Sequence, residues 1–284
     1  MRKNAELTVK SQTPLLTFLL DNFRGESRNY VKGLLKRGQV SVDGKVCTSH
    51  SQSLESGQSV KISFGKVNTC KLPILYEDGD IIVIDKPAGL LSVDTDKRGE
   101  NTAYRTVNDY LQPSRVFIVH RLDRDTSGVM LFAKSERVKR ILQDNWSDMT
   151  IRRSYTALVE GEADFTQKQI KSWLKQTGSL SVYSSQKEGD GKLAITNCRV
   201  IKISHGYSLL DVSLETGRKN QIRVHMKDIG HPVAGDRKYG AKSNPHGRLG
   251  LHASALTIKH PTTQEVIYFK SPLPHCFKTD CNSR

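Results

Sequence analysis

The sequence predicts an α+β protein: a mixed, largely antiparallel sheet with helices packed against it, preceded by a small α/β module. Three observations carry this. The larger part of the chain alternates short apolar runs with turns and has few helical crossovers. Residues 13–64 instead hold two short helical patterns and then a hairpin. Between the two parts, residues 65–71 (Gly65-Lys66-Val67-Asn68-Thr69-Cys70-Lys71) are polar and aperiodic, as suits a linker.

In the first module, Thr13 reads as a helix N-cap and Pro14 as the first helical residue. Leu15, Leu16, Leu19, Leu20 and Phe23 then recur at helical spacing, and Gly25 can end the turn. Ser27 reads as the cap of a second helix with Val31, Leu34 and Leu35 as its buried stripe. Arg28, Lys32, Lys36 and Arg37 lie on its exposed side, and Gly38 stops it. Val40 and Val42 run into Asp43-Gly44, a strong hairpin signal, and Val60-Lys61-Ile62 follows the Glu55-Ser56-Gly57 turn as a last strand.

The larger unit is expected over residues 72–277. Its strands are Ile81-Ile82-Val83-Ile84, Val116-Phe117-Ile118-Val119, Val129-Met130-Leu131-Phe132, Tyr155-Thr156-Ala157-Leu158-Val159 and Ser208-Leu209-Leu210-Asp211-Val212. A helix is predicted over 135–146, capped by Ser135, with Val138, Ile141, Leu142 and Trp146 on one face. Residues 278–284 are polar and read as a frayed end.

Charge points to the partner. Forty-four Lys and Arg against 29 Asp and Glu leave a net charge of +15, a surface that attracts polyanions, nucleic acid above all. Charge does not separate RNA from DNA. No run approaches the about 20 apolar residues of a membrane span, and no apolar stretch follows the N-terminus, so neither membrane insertion nor secretion is expected. Five scattered cysteines without a C-x-x-C pair read as free thiols in a reducing cytoplasm.

The chemistry concentrates in Val119-His120-Arg121-Leu122-Asp123-Arg124-Asp125-Thr126-Ser127-Gly128, between two apolar strands. A hairpin turn accounts for Asp125 to Gly128. It leaves unexplained why Arg121 and Asp123 flank Leu122 at the end of an apolar strand, where desolvating charges is costly. On these residues alone, a catalytic carboxylate and a structural ion pair both remain open.

The run His120-Arg121-Leu122-Asp123-x-x-Thr126-Ser127-Gly128 resembles the signature loop of the RluA-type pseudouridine synthases. Glu77-Asp78 with Lys86-Pro87-Ala88-Gly89 resembles that family's first motif, and Arg153-Ser154-Tyr155-x-Ala157-Leu158-Val159-x-Gly161 its tyrosine strand. Leu214-x-Thr216-Gly217-Arg218-x-Asn220-Gln221-Ile222-Arg223-Val224-His225 resembles its third motif. His231-Pro232-x-x-Gly235-Asp236-x-x-Tyr239-Gly240 and Leu249-x-Leu251-His252-Ala253 follow in the expected order. The first module is similar to the αL RNA-binding domain first recognised in a small-subunit ribosomal protein, through Ser27-Arg28-x-x-Val31-Lys32-x-Leu34-Leu35-x-x-Gly38-x-Val40-x-Val42-x-Gly44.

The resemblance implies an isomerase of uridine in structured RNA, expected to be large-subunit ribosomal RNA, working as a monomer without cofactor or metal. It implies Asp123 as the catalytic carboxylate, Arg223 as the arginine pairing with it, and Tyr155 as the ring beneath the uracil. Arg121 would fill the gap left by the extruded base, and Arg218 would bind phosphate, as would Arg28, Lys32, Lys36 and Arg37 of the first module. Lys86 reads as fixing a turn, with its side chain free to touch RNA. Two positions depart from the common pattern: Asn220 where histidine is usual and Arg153 where lysine is frequent, both read as affecting RNA contacts. Alternatives are tRNA as the substrate, or a non-catalytic RNA-binding or ribosome-assembly factor on the same scaffold. A kinase-like loop would need H-R-D without Leu122 plus a glycine-rich phosphate loop, and neither is present. A glycosidase would need a second, water-activating carboxylate, for which Asp125 is a poor candidate. His225, His231 and His252 match no metal-ligand spacing.

Overall fold

A computed structural model describes residues 4–23, 26–36, 38–63, 70–94, 100–111, 114–177 and 181–277. Gly25, Arg37, the Lys36 side chain, most of the expected linker, part of 94–114 and residues 278–284 lie outside the described residues. The chain divides into two compact units, Met1–Thr69 and Cys70–Arg284.

The first unit contains β1 (Ala5–Thr8), β2 (Thr13–Pro14), α1 (Leu15–Asn22), α2 (Arg28–Lys36), β3 (Val40–Val42), β4 (Lys45–Val46), β5 (Ser53–Leu54) and β6 (Ser59–Ile62). A four-stranded sheet runs β1-β6-β3-β4, and β2 pairs with β5. The start of α1 departs from expectation. Pro14 is the extended N-cap, and Thr13 and Pro14 pair with Leu54 and Ser53, so the strand claims the residues read as helix. Ser27 does cap α2, its Oγ accepting from the Tyr30 N–H at 3.1 Å. Asp43 and Gly44 both take positive φ, 49° and 78°, the geometry a two-residue hairpin demands. Leu15, Leu19, Val31, Leu34, Val40, Leu54, Val60 and Ile62 form the core. Arg28 and Lys32 are exposed.

The second unit holds β7 (Ile74–Glu77), β8 (Ile81–Lys86), α3 (Ala103–Leu111), β9 (Phe117–Ile118), β10 (Ser127–Ala133), α4 (Glu136–Asp144), α5 (Trp146–Met149) and β11 (Thr150–Glu160). Beyond these lie β12 (Gln167–Gln176), β13 (Val182–Ser185), β14 (Lys192–Ser204), β15 (Tyr207–Leu214), α6 (Gln221–Asp228), β16 (Leu251–Lys259) and β17 (Val266–Lys270). One eleven-stranded sheet runs β13-β12-β14-β15-β11-β16-β10-β8-β7, with β17 on β16 and β9 on β10. Its pairings are antiparallel except β10 with β16, where Ser127 faces His252 and Gly128 faces Ala253. The expected mixed, largely antiparallel α+β class therefore holds.

Apolar runs without alternation mark strands covered on both faces. In β8 and β10, Ile82, Ile84, Met130 and Phe132 pack with Ala103 and Val107 of α3. Ile81, Val83, Val129 and Leu131 face the other way, toward Val138 and Leu142 of α4. The predicted 135–146 helix is two: α4, capped by Ser135 through the Val138 N–H, and α5, which begins at Trp146. Helix α6 lays Ile222 and Met226 on the face of β11, β14 and β15 that carries Ala157, Val159, Cys198, Leu210 and Val212. That packing delivers the third-motif residues to the end of β10.

Candidate active site

The loop between β9 and β10 is clamped almost residue by residue. His120 Nε2 accepts from the Leu131 N–H at 3.0 Å, so that nitrogen carries no proton; burial, reinforced by Arg153, pushes the imidazole down to about 4. Buried Ser92 holds Leu122 from both sides, accepting from its N–H at 3.1 Å and donating to its carbonyl at 2.6 Å. The Asp123 carbonyl accepts from the Thr126 N–H at 3.2 Å, and the Arg124 carbonyl takes bonds from the Gly89 N–H and Lys86 Nζ. A loop held this way presents its side chains in fixed directions without regular secondary structure. Leu122 points into the core, Arg121 is exposed, and Asp123 stands between those extremes.

Lys86 is fully buried, which corrects the expectation that its side chain is free to touch RNA. Its ammonium donates to the carbonyls of Pro87 (3.0 Å), Leu90 (2.7 Å) and Arg124 (2.9 Å), tying the first motif to the signature loop. Burial pushes its pKa down to about 8, against the opposing pull of Asp125 and Asp123. Its turn-fixing role is visible in these three bonds. Ser127, the next anchor, is hydrogen-bonded to His252 Nδ1 at 2.8 Å and accepts from Arg248 at 2.7 Å.

Asp123 lines a cleft of about 660 Å³, together with Arg121, Arg153, Tyr155, Arg218, Lys219, Asn220 and Arg223. Arg223 Nη1 reaches Asp123 Oδ2 at 3.4 Å. Tyr155, on the α6-facing side of β11, has its pKa raised, first by burial and also by Asp123, against the pull of Arg153, so the phenol is neutral at physiological pH. Among the cleft's charged side chains, cations outnumber Asp94 and Asp123, a lining suited to a polyanion. The carboxylate, guanidinium and phenol expected from the sequence thus share one cleft.

The two departures from the family pattern do more than expected. Asn220 is buried in the left-handed region at φ 53°, where asparagine is tolerated better than most residues. Its Oδ1 accepts from Arg223 Nη1 at 3.2 Å and its Nδ2 donates to the Tyr239 hydroxyl at 2.9 Å. It therefore supports Arg223 from the wall of the cleft. Arg153 lies over Gly217 and donates to the carbonyls of Leu214 and Glu215, where any added Cβ on Gly217 would meet its Nη1. Arg218 is exposed at the rim, its Nε donating to the Leu193 carbonyl.

Several residues of the site went unassigned in the sequence. Asp236, quoted within a motif, holds Arg223 more closely than Asp123 does, at 2.6 and 2.8 Å. Buried Gln221 accepts from the Arg218 N–H and the Thr216 hydroxyl, setting the turn into α6. His225 is bonded to Ser172 and Thr196, His231 to the Glu160 carbonyl and His252 to Ser127, so the three histidines serve three different places.

A carboxylate, a guanidinium and a half-buried phenol share a basic cleft, the arrangement expected of an enzyme that acts on a polyanion. Residues 80–228 match the family described as RNA pseudouridylate synthase. Over 279 residues the chain is 32% identical to the "Uncharacterized RNA pseudouridine synthase YlyB" of Bacillus subtilis, covering 90% of this chain and 89% of that one. It is 33% identical over 273 residues to the ribosomal large subunit pseudouridine synthase D of Nitrosomonas europaea, covering 87% and 77%. The solved structure of human RNA pseudouridylate synthase domain containing 1 superposes with a TM-score of 0.60 at 25% identity, covering 75% of this chain and 87% of that one. The chain belongs to the RNA pseudouridylate synthase family and is an RNA pseudouridine synthase, an isomerase.

Proposed function

We propose that this enzyme isomerises uridine in large-subunit ribosomal RNA, with Asp123 as the catalytic carboxylate. The observation that carries the chemistry is the Arg223–Asp123 contact in a cation-lined cleft that also holds Tyr155. The uridine leaves its stack and enters the cleft, and Arg121 fills the vacated position. Asp123 attacks C1′, or stabilises positive charge there, as the bond from C1′ to N1 breaks. The freed uracil turns on the Tyr155 ring, and C5 forms the new bond to C1′, releasing the carboxylate. C5 then loses its proton and N1 gains one, so nothing is oxidised and no atom of the base is lost. Arg223 sets a guanidinium beside Asp123 within the cleft.

The ribosomal target is supported by the names of relatives from Nitrosomonas and Neisseria, ribosomal large subunit pseudouridine synthase D, and by the αL-like pattern of the first unit. Mapping of pseudouridine in total RNA from cells with and without the protein tests this reading. The expected result is loss at one or more uridines of large-subunit ribosomal RNA. Loss confined to tRNA would move the substrate there, and an unchanged map would remove the proposal.

The first unit is read as an RNA-binding αL domain whose basic helix α2 contacts phosphate. Arg28→Ala with Lys32→Ala is expected to weaken RNA binding and to lower the slope of log affinity against log salt by about 2. The rate at saturating RNA should stay unchanged. An unaltered salt slope in filter binding would show that α2 does not touch the RNA backbone.

A further inference from the structure

We infer that the open face of the large sheet, on the side away from the catalytic cleft, is a second docking surface for the RNA. It would take the phosphate backbone of a segment remote from the target uridine. Alternation along the strands defines this face. Helix α6 packs on Ile170, Cys198, Leu210 and Val212, so their chain neighbours Gln169, Arg199 and Asp211 point the other way. Arg199 and Asp211 pair directly across β14 and β15, and Arg152 of β11 reaches the same carboxylate. Helices α3, α4 and α5 pack against β8 and β10 instead, which leaves this part of the sheet to solvent. Docking there is independent of which side chain performs the chemistry.

The face carries mostly charge of one sign. Arg152, Lys171, Arg199, Lys259 and Lys270 stand exposed on it, against Asp211 and Glu215. Both acids are already engaged. Asp211 lies between two guanidinia, its Oδ2 3.5 Å from Arg199 Nη2 and 3.7 Å from Arg152 Nη2. Glu215 Oε1 accepts from Asn197 at 2.8 Å and from Gln169 at 3.2 Å. Ion pairs this long and this exposed add little stability, so holding the fold does not account for two arginines on one acid. What the acid does is keep two like charges side by side. The arginine side chains are 58% and 67% exposed, and each touches Asp211 with one nitrogen, which leaves other donors of the fork for a second anion. They border a groove of about 450 Å³ together with Lys168 and Asn197. In line with Arg152 across β16 lies Tyr268, 60% exposed, a ring on which an unpaired base can stack.

Charge complementarity selects RNA as the occupant. The centre of the face is charged, where a stable protein interface is apolar. Exposed guanidinium and ammonium groups suit phosphate oxygens, and phosphate contacts position a nucleic acid without reading its sequence. Tyr155 and the cleft lie on the α6 side of the same sheet, so one short strand cannot meet both surfaces. Only an RNA body that folds round the domain reaches them together. The surface therefore favours long, structured RNA over a small stem-loop holding the same uridine.

The test compares two RNAs of different reach on the full-length enzyme. One is total RNA from cells lacking this protein, tritiated at uridine C5, whose release reports loss of the C5 proton. The other is a short stem-loop synthesised around a uridine that the enzyme modifies in that RNA. Arg152→Ala with Arg199→Ala is expected to raise the half-saturating concentration of the long RNA by about 10-fold and to lower its salt slope by about 2. Tritium release at saturation should stay unchanged, since only uniform binding is lost. The stem-loop should bind as before. Asp211→Asn is the opposing variant: removing the central negative charge should tighten the long RNA by about threefold, whereas an acid with a purely structural part would give weaker binding. An unchanged salt slope on the long RNA, an equal loss on both RNAs, or weaker binding by Asp211→Asn would each overturn the inference. A loss seen with ribosomal particles from the same cells, but not with protein-free RNA, would assign the face to a protein and overturn it too. If the double alanine variant does not fold, Arg152→Gln with Arg199→Gln keeps length and hydrogen bonding, removes the charge and carries the same expectations.

Discussion

Asp123→Asn is expected to abolish pseudouridine formation while leaving RNA binding and folding nearly intact. The change keeps the shape of the side chain and removes the negative charge and the nucleophilic oxygen, so the barrier to leaving N1 loses its main opponent. A fall on the order of 10⁴-fold corresponds to about 5.4 kcal/mol of lost transition-state stabilisation. Folding should survive, because the side chain is 34% exposed and Arg223 keeps its bidentate partner Asp236. RNA affinity should survive because the cations of the cleft are unchanged. Tritium release from C5-labelled RNA in single turnover measures the loss, and filter binding measures the affinity. Turnover near wild type would place the carboxylate chemistry elsewhere.

Gly128→Ala is expected to be the most destabilising single-methyl change near the site. Gly128 is the second residue of β10 and has φ +113°, a conformation that side-chain-bearing residues rarely adopt. An added Cβ would lie 2.1 Å from the Ala253 carbonyl oxygen, 2.7 Å from its carbon and 2.8 Å from its nitrogen. These are backbone atoms of β16, paired in register with Gly128 itself, so relief requires pulling the two strands apart. A cost of about 4 kcal/mol or more follows from strain and clash together. That corresponds to a fall in Tm on the order of 10 °C by calorimetry. Activity should fall further than stability, since the same movement would loosen the anchor of the Asp123 loop. A melting temperature close to wild type would show that β16 yields more easily than its pairing suggests.

How much of this was legible in the chain depends on the range of each interaction. The runs that became β8 and β10 were readable because both faces are buried and every residue is apolar. Strand β14 was not, because its buried positions are Ala194, Thr196 and Cys198, which carry little hydrophobic signal. Strand β12 places Ile170, Ser172 and Leu174 inward, and the polar Ser172 interrupts the alternation. At α1 the local cap signal of Thr13-Pro14 was overridden by pairing with β5, a partner about 40 residues away. The site shows the same division. Asp123, Tyr155 and Arg223 stood out through resemblance to motifs. Lys86 and Asp236 did not show their parts, because three carbonyls and a second carboxylate around a cation are tertiary facts. Nothing in the run Gly235-Asp236 says that its acid faces a guanidinium thirteen residues earlier.

The parallel contact of β10 with β16 has a consequence for biosynthesis. Ser127 and its partner His252 are 125 residues apart, so the loop bearing Asp123 emerges from the ribosome long before its anchor. Contacts of such sequence separation form late, because closing the intervening chain must precede the reward of pairing. The nascent chain therefore carries its acid on a loop that can reach Ser92, Lys86 and Leu131 but lacks its β16 anchor until that strand has been made and docked. An enzyme born among ribosomal RNA thus acquires its working geometry only as the last part of its sheet is laid down.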